Sequence, residues 1–375
     1  MWSSLPFDLL ANIFSFLSPD SLARARSACK HWHECIDTCP LNTEPIPSQC
    51  HPSWFIALPL RAHKLCFAHN PILDNWHKLS LEFLPDLVKP IATVGSLLFL
   101  RSISSVVLQL ILCNPFTTQF RYLPWPNIIR TNPAVGVVIQ NTSQDSQIPD
   151  FKVYVAGGMS MAPQGGTTYE SKLEMYDSRN DSWKIVGSLP VEFAVRLTVW
   201  THNESVYSNG TLYWITSARA FSVMGFDVDS NNCRELQVPM ADRLEFAALT
   251  SRNGRLTIVG GVCGEDACVW ECRDGDMWVL VEKVPNELGR KLVGGSNGSW
   301  INTKCAWNNE VMCLYKELGN GMVVRRERKE KNKWEWVWID GCSSIRGKRV
   351  HNLPIKGLLL QPSLAPFASK SNYTL

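Results

Sequence analysis

Val153-Tyr154-Val155-Ala156-Gly157-Gly158, followed by Tyr176-Asp177-Ser178-Arg179-Asn180-Asp181-Ser182-Trp183 and by Val186 three residues further on, is the stretch whose reading decides the fold. A run of β-branched and aromatic residues ending in glycine reads as a strand. The polar residues after Asp177 read as a turn, and Trp183 with Val186 opens the strand that returns. The same unit recurs when every apolar run is aligned on the turn behind it. It reads Asn70 to Trp76 with Leu79, Asn114 to Phe120 with Leu123, and Asp227 to Cys233 with Leu236. It continues as Cys272 to Trp278 with Val281 and Arg328 to Trp334 with Val337. Six units spaced roughly fifty residues apart describe a radial array of small antiparallel sheets.

Each unit is preceded by a further strand, several of which open on glycine. These are Gly95 to Leu100, Asn209-Gly210 to Ile215, and Asn253-Gly254 to Gly261. Asn-Gly supplies the positive φ that a two-residue hairpin needs, so it marks the turn between the first two strands of a unit. The pairs Gly157-Gly158 and Gly260-Gly261 let backbones approach closely at a strand end. Di-glycine, then Tyr176-Asp177, then Trp183 is similar to the kelch motif. The resemblance implies an all-β propeller of six blades. The second, fourth and sixth units lack the di-glycine, and the fourth lacks the tryptophan.

A ring of blades removes long free sheet edges, and the sequence says how the ring shuts. First strands are readable in Ala134 to Gln140, Ala194 to Trp200 and Glu245 to Thr250, whereas only a proline-rich connector precedes the first unit. The unclaimed apolar run Gly357 to Ser363 is expected to supply the missing strand. The chain then enters and leaves the ring on the face of the strand 1–2 hairpins and 3–4 turns, so the N-terminal segment belongs to that face. The opposite face carries the loops near Arg101 to Ser105, Met159 to Glu170, Ser217 to Phe221, Val262 to Ala267 and Asn286 to Lys291. Long loops on a rigid scaffold are where binding concentrates. Arg101, Met159, Met161, Tyr169, Arg219, Phe221 and Arg290 are therefore the candidate target-binding residues, and Met159 to Glu170 is the longest of these loops.

The N-terminal segment has a different pattern. Leu5-Pro6-Phe7-Asp8-Leu9-Leu10-Ala11-Asn12-Ile13-Phe14-Ser15-Phe16-Leu17 places Leu9, Leu10, Ile13, Phe14 and Leu17 at helical spacing behind Pro6 and Asp8, which suit a first turn. Ser18-Pro19-Asp20 starts a second helix that continues through Leu22, Ala25 and Cys29. Apolar spacing alone would also fit a helical hairpin packed on its own domain. The ordered series Leu-Pro, Asp-Leu-Leu, Ile, Leu, Leu-Ala-Arg-Ala-Arg, Cys-Lys and Trp32 resembles the F-box motif, with Ala28 where a valine is usual and Ile36 for a final leucine. With the repeats behind it, the chain resembles plant F-box proteins with kelch repeats. That resemblance implies a three-helix module docking on a Skp-type adaptor and, through it, on a cullin. Leu5, Pro6, Leu9, Leu10, Ile13 and Leu17 would face the adaptor, while Leu22 and Trp32 pack the module. The expected domains are 1–42 (helical module), 43–52 (proline-rich linker), 53–366 (propeller) and 367–375 (tail).

Composition narrows the function classes. Of 375 residues, 45% are hydrophobic and 19% charged, a globular balance, and a net charge of +3 gives little reason to expect nucleic acid or an acidic membrane. No signal peptide or membrane-length apolar run is apparent, so the cytoplasm or nucleus is expected. The 13 cysteines follow no framework spacing, and Cys263, Cys268 and Cys272 match no common zinc pattern. Ser160 lies in Gly-x-Ser-x-Ala without a helix to follow, no phosphate loop or His-Glu-x-x-His occurs, and the eight histidines show no ligand pairing. Arg325 to Lys331, with interleaved glutamates, reads as a solvated hairpin tip. No cofactor, metal or catalytic residue is expected. By resemblance, the function is that of a non-catalytic substrate receptor of a Skp–cullin–F-box (SCF) ubiquitin ligase, with a target protein held by the propeller. A scaffold in a ligase-free Skp-adaptor complex is the alternative. A propeller enzyme would need acids, arginines or metal ligands clustered at one channel mouth, which the sequence does not display.

Overall fold

The structure, a computed structural model, describes residues 5–15, 17, 19–38, 52–61, 64–105, 107–140, 149–295, 298–328, 333–345 and 347–363. The expected linker, apart from Pro52, and the expected tail lie outside these residues. Three short helices come first: α1 (Phe7–Ser15), α2 (Pro19–Ala28) and α3 (Lys30–Thr38). Leu10, Phe14, Leu22, Ala25, Cys35 and Ile36 form their common core, with Trp32 packed against it. Trp32 meets Phe14 edge to face at 5.4 Å. The start of α1 is tied to α3, because Cys35 Sγ donates to the Phe7 carbonyl at 3.4 Å and His31 Nε2 lies 3.0 Å from the Leu5 carbonyl.

Six four-stranded antiparallel sheets follow. Counted outward from the channel, blade 1 is Ile355–Leu360, Trp54–Pro59, Leu65–Asn70 and Asn75–Ser80. Blade 2 is Val88–Val94, Leu97–Ser102, Leu110–Asn114 and Gln119–Tyr122, and blade 3 is Ala134–Ile139, Phe151–Ala156, Lys172–Asp177 and Ser182–Ser188. Blade 4 is Thr201–Ser208, Thr211–Ser217, Phe221–Asp227 and Cys233–Gln237. Blade 5 is Leu244–Arg252, Arg255–Val262, Cys268–Arg273 and Met277–Lys283, and blade 6 is Lys304–Trp307, Val311–Tyr315, Met322–Arg328 and Lys333–Ile339. The first strands of all six line a central channel of about 350 Å³.

The ring shuts as expected, with a small shift in position. The donated strand is Ile355–Leu360, pairing in register from Trp54↔Leu360 to Pro59↔Ile355. The chain accordingly enters and leaves the ring on the face of the 1–2 hairpins.

The repeat unit has a local chemical cause. Its first residue is Asn or Asp in four blades, and that side chain caps the turn. Asn70 Oδ1 accepts from the Ile72 N–H, Asn114 Oδ1 from Phe116, Asp177 Oδ1 from Arg179, and Asp227 Oδ1 from Asp229 and Ser230. Four residues on, the backbone turns left-handed, at Asp74 (φ 46°), Thr118 (60°), Asp181 (49°), Asn231 (59°) and Asp276 (60°). The aromatic residue then joins blades. Trp76 Nε1 donates to the Asp340 carbonyl at 3.0 Å, Trp183 Nε1 to Pro124 at 2.8 Å, and Trp278 Nε1 to Gln237 at 2.7 Å. These bonds tie blade 1 to blade 6, blade 3 to blade 2 and blade 5 to blade 4. In the even blades the same position holds Phe120, Cys233 and Trp334, the last stacked 4.0 Å from the Arg325 guanidinium.

The core is six apolar layers, one at each blade interface, rather than one central body. Cys268 and Cys272 pack, half-buried, into the layer between blades 4 and 5, and burial raises both thiol pKa values.

Three expectations are corrected. Ala194 to Trp200 is not the first strand of blade 4. It lies in and just beyond helix α4 (Val191–Val199), and the strand begins at Thr201. Phe193, Val195, Thr198 and Val199 favour extended structure locally, but Pro190 precedes the first turn, and Ala194 and Leu197 bury one helical stripe. Asn286 to Lys291 is likewise not a loop but most of helix α5 (Asn286–Val293), stopped by Gly294 at φ 91°. Arg325 and Arg326 are not a solvated tip. They lie within a strand, where Arg325 is 5% exposed and bonds Glu282 at 2.8 Å, and Arg326 bonds Glu335 at 3.1 Å. Residues 329–331 of that run lie outside the described residues.

The di-glycines serve close approach. A Cβ on Gly157 (φ 63°) would stand 2.8 Å from the Ala194 carbonyl of α4, and one on Gly261 would stand 2.4 Å from the Trp300 ring. Beside the first, Gly158 N–H donates to Thr198 Oγ1 at 2.6 Å.

Candidate interaction surfaces

In the helical module, α1 divides its apolar residues between two faces. Leu10 and Phe14 turn inward, 1% and 2% exposed, and supply the module's own core. Pro6, Leu9 and Ile13 share the outward stripe, with Leu9 50% and Ile13 41% exposed. Leu5 and Leu17 are half-buried against the core. The adaptor-facing set read from sequence therefore loses Leu10: an amphipathic helix this short has one inner face, and Leu10 is on it. The remaining stripe is apolar and open, with Asp8 and Asn12 exposed beside it.

On the propeller, the 2–3 loops and the crossovers between blades share the face opposite the chain ends. Met159 to Glu170 is an ordered element there. Met159–Met161 pairs with Thr167–Tyr169, placing Met159 opposite Tyr169 and Met161 opposite Thr167. Its tip turns through Gly165 and Gly166, both at positive φ, and its base is held by Ser160 Oγ donating to Glu170 at 2.8 Å. Met159 also exchanges backbone hydrogen bonds with Thr131, both 2.9 Å. Met161 is 73% exposed, while Met159 and Tyr169 are half-buried.

Arg219 and Phe221 line a groove of about 830 Å³ with Arg196, Trp200, Glu235 and Met240. Arg196 bonds Glu235 at 2.8 Å and also donates to Ser222. Trp200 is 40% exposed at the end of α4, and its place here follows from the helix that local propensity concealed. Arg101 lines a separate cavity of about 750 Å³. Arg290 stands exposed on α5, apart from both. The structure thus groups Met159, Met161 and Tyr169 on one hairpin and Arg219 with Phe221 in one groove, but it does not gather all seven residues into one site.

Buried polar groups on this face serve the scaffold. Arg130 and Glu174, both 0% exposed, pair at 2.7 Å. Arg130 also donates to the Gly157 and Lys172 carbonyls, and Glu174 accepts from the Ile128 N–H at 3.1 Å. Together they fasten the crossover from blade 2 onto blade 3. Burial pushes the Arg130 pKa down, and the Glu174 carboxylate acts in the opposite sense.

Comparison with known proteins agrees with both halves of the architecture. Residues 2–44 match the F-box domain, and residues 91–262 match the F-box associated beta propeller domain. Three relatives from Arabidopsis thaliana are identical to this chain at about a quarter of the aligned positions. Protein UNUSUAL FLORAL ORGANS is 24% identical, over 84% of this chain and 74% of that one. F-box only protein 6 is 24% identical, over 93% and 72%, and F-box/kelch-repeat protein At5g43190 is 25% identical, over 84% and 77%. Proteins that join an F-box to a β-propeller are typically non-catalytic substrate adaptors, and F-box domains in general bind Skp-type adaptors. The helical module thus matches the F-box domain, the ring from blade 2 into blade 5 matches the F-box associated beta propeller domain, and the chain is a homologue of the F-box/kelch-repeat proteins of Arabidopsis.

Proposed function

We propose that this chain is the substrate receptor of an SCF-type ubiquitin ligase, its F-box docking on a Skp-type adaptor linked to a cullin and its propeller holding the protein to be modified. Ubiquitin transfer itself belongs to the partners, and the complex works in the cytoplasm or nucleus. The observation that carries this reading is the open stripe Pro6, Leu9 and Ile13, apolar surface that the module's own core leaves uncovered.

Covering the exposed part of Leu9 and of Ile13 is worth roughly 1 kcal/mol each, and an aspartate in either place would bury an unpaired charge at the contact. Replacing both by aspartate is therefore expected to weaken capture of a Skp-type adaptor by at least about a hundred-fold. Circular dichroism should be unchanged, because neither residue is in the module's core. Undiminished capture by the Leu9→Asp, Ile13→Asp chain would remove the F-box docking role.

The second half of the proposal is that the hairpin face engages the target. Replacing residues 160–168 by a short Gly-Ser linker should leave adaptor capture intact while cellular turnover of co-purifying proteins falls. Unaffected turnover would place target binding elsewhere on the ring.

A further inference from the structure

The cavity beside Arg101 has an unusual charge balance. Among the described residues it is lined by Lys89, Arg101 and Lys356, by the apolar side chains of Leu60, Ile91 and Ile103, and by polar Asn132, and by no aspartate or glutamate. Lys89 and Arg101 are directly opposite each other across antiparallel strands, where like charges destabilise the pair. Among the described residues, neither has a carboxylate within ion-pair distance.

The arginines elsewhere on the ring set the contrast. Arg252 and Arg325 are also brought together, and Glu282 lies between them, 3.5 Å from one and 2.8 Å from the other. Arg121, Arg130, Arg196 and Arg326, the remaining described propeller arginines that are not exposed, each have an acidic partner within 4.0 Å. Arg101, half-buried like Arg121, Arg196 and Arg326, has only a 3.4 Å contact from Nη2 to Asn132 Oδ1, and its Nε, like those of Arg121 and Arg130, is shut off from solvent without a hydrogen-bond partner. Burial accordingly pushes the Arg101 pKa down. A covered guanidinium facing a like charge is costly unless an anion joins it.

We infer that this cavity receives a carboxylate-bearing segment of the target polypeptide, with Arg101 and Lys89 meeting an Asp or Glu side chain and Leu60, Ile91 and Ile103 covering an adjacent apolar one. A volume of about 750 Å³ with apolar walls is larger than a lone inorganic anion needs. A nucleic acid would call for an extended basic track, which a net charge of +3 does not supply. The cavity adjoins the Met159–Tyr169 hairpin, since Thr131 lines the one and pairs with the other. This inference rests on the reading of the propeller as the target-binding domain and names the chemistry of that target.

The test is selection from a random-peptide display library on the full chain complexed with its Skp-type adaptor, run in parallel on the Arg101→Gln and Lys89→Gln chains. Wild-type selection should enrich Asp or Glu beside an apolar residue, and the best recovered peptide should bind each variant at least ten-fold more weakly. Adaptor capture and the melting temperature should not change. Lys89 is exposed, so its variant keeps the test valid if Arg101→Gln fails to fold. Absence of acidic enrichment, equal binding to the Lys89→Gln chain, or a preference for phosphoserine in a phosphoserine-containing library would each overturn the inference. Loss of adaptor capture in the wild-type chain would instead strike at the ligase reading, which the peptide selection does not touch.

Discussion

Removal of residues 356–375 is expected to unfold the β-domain at ordinary temperature, whereas removal of 368–375 should leave its melting temperature within a degree or two. The donated strand Ile355–Leu360 is the inner strand of blade 1, and Leu358, Leu359 and Leu360 are buried at 9%, 6% and 0% exposure. They belong to the layers that blade 1 shares with blade 2 and with blade 6, so their loss opens both interfaces. Each buried leucine contributes about 1.5–3 kcal/mol, and three of them approach the roughly 5–15 kcal/mol by which a domain is stable at all. Further ties go with the strand: Gly357 N–H donates to Tyr315 Oη at 2.6 Å, and Asn114 Nδ2 donates to the Ser363 carbonyl at 2.8 Å. The truncation would also leave Trp54–Pro59 as an unpaired inner edge, an aggregation liability. Thermal melting followed by near-ultraviolet circular dichroism checks this, and a cooperative, near-wild-type transition in the longer truncation would refute closure by the C-terminal strand.

The second large effect is expected at the Arg130–Glu174 pair. Replacing either partner alone by alanine leaves the other charge buried and uncompensated, which costs about 3–5 kcal/mol. Glu174→Ala also leaves the Ile128 N–H without its acceptor, and Arg130→Ala leaves the Gly157 and Lys172 carbonyls without their donor. The double change Arg130→Met with Glu174→Leu removes both charges together and should recover much of that loss. Denaturant titration of the four chains gives the comparison. Single variants within about 1 kcal/mol of wild type, on the scale of an exposed pair, would show that the pair is not a structural fastener.

Much of this protein is legible in its sequence because its signals are local. The turn unit is written by an Asn or Asp that caps its own backbone, a left-handed residue four places on and an aromatic that returns to the neighbouring blade, as at Asp177, Asp181 and Trp183. Asn209-Gly210 and Asn253-Gly254 mark hairpins for the same reason, since each pair sits at positive φ. The closing strand is readable by elimination, as the one apolar run without a unit of its own. The stripe of α1 is readable as amphipathic, but its division is not: adjacent Leu9 and Leu10 look alike until α2 and α3 choose which one they cover.

The chain alone thus determined the six-unit ring, its closure by the C-terminal strand and the helical module ahead of it, each carried by contacts within a few residues or by a missing partner that could be counted. Tertiary structure alone decided α4 and α5. In α4 the burial of Ala194 and Leu197 beside Gly157 outweighs the extended preference of its β-branched residues, and in α5 Gly289 and Leu292 pack inward near Trp300. It alone also decided which charges are paired. Arg325 finds Glu282 on another blade and Arg130 finds Glu174 across a crossover, whereas Arg101 meets Lys89. The Arg325–Glu282 and Arg130–Glu174 pairings join residues more than forty positions apart, which no propensity or spacing along the chain encodes until the blades have packed, while Lys89 and Arg101 face each other across one hairpin within a single blade.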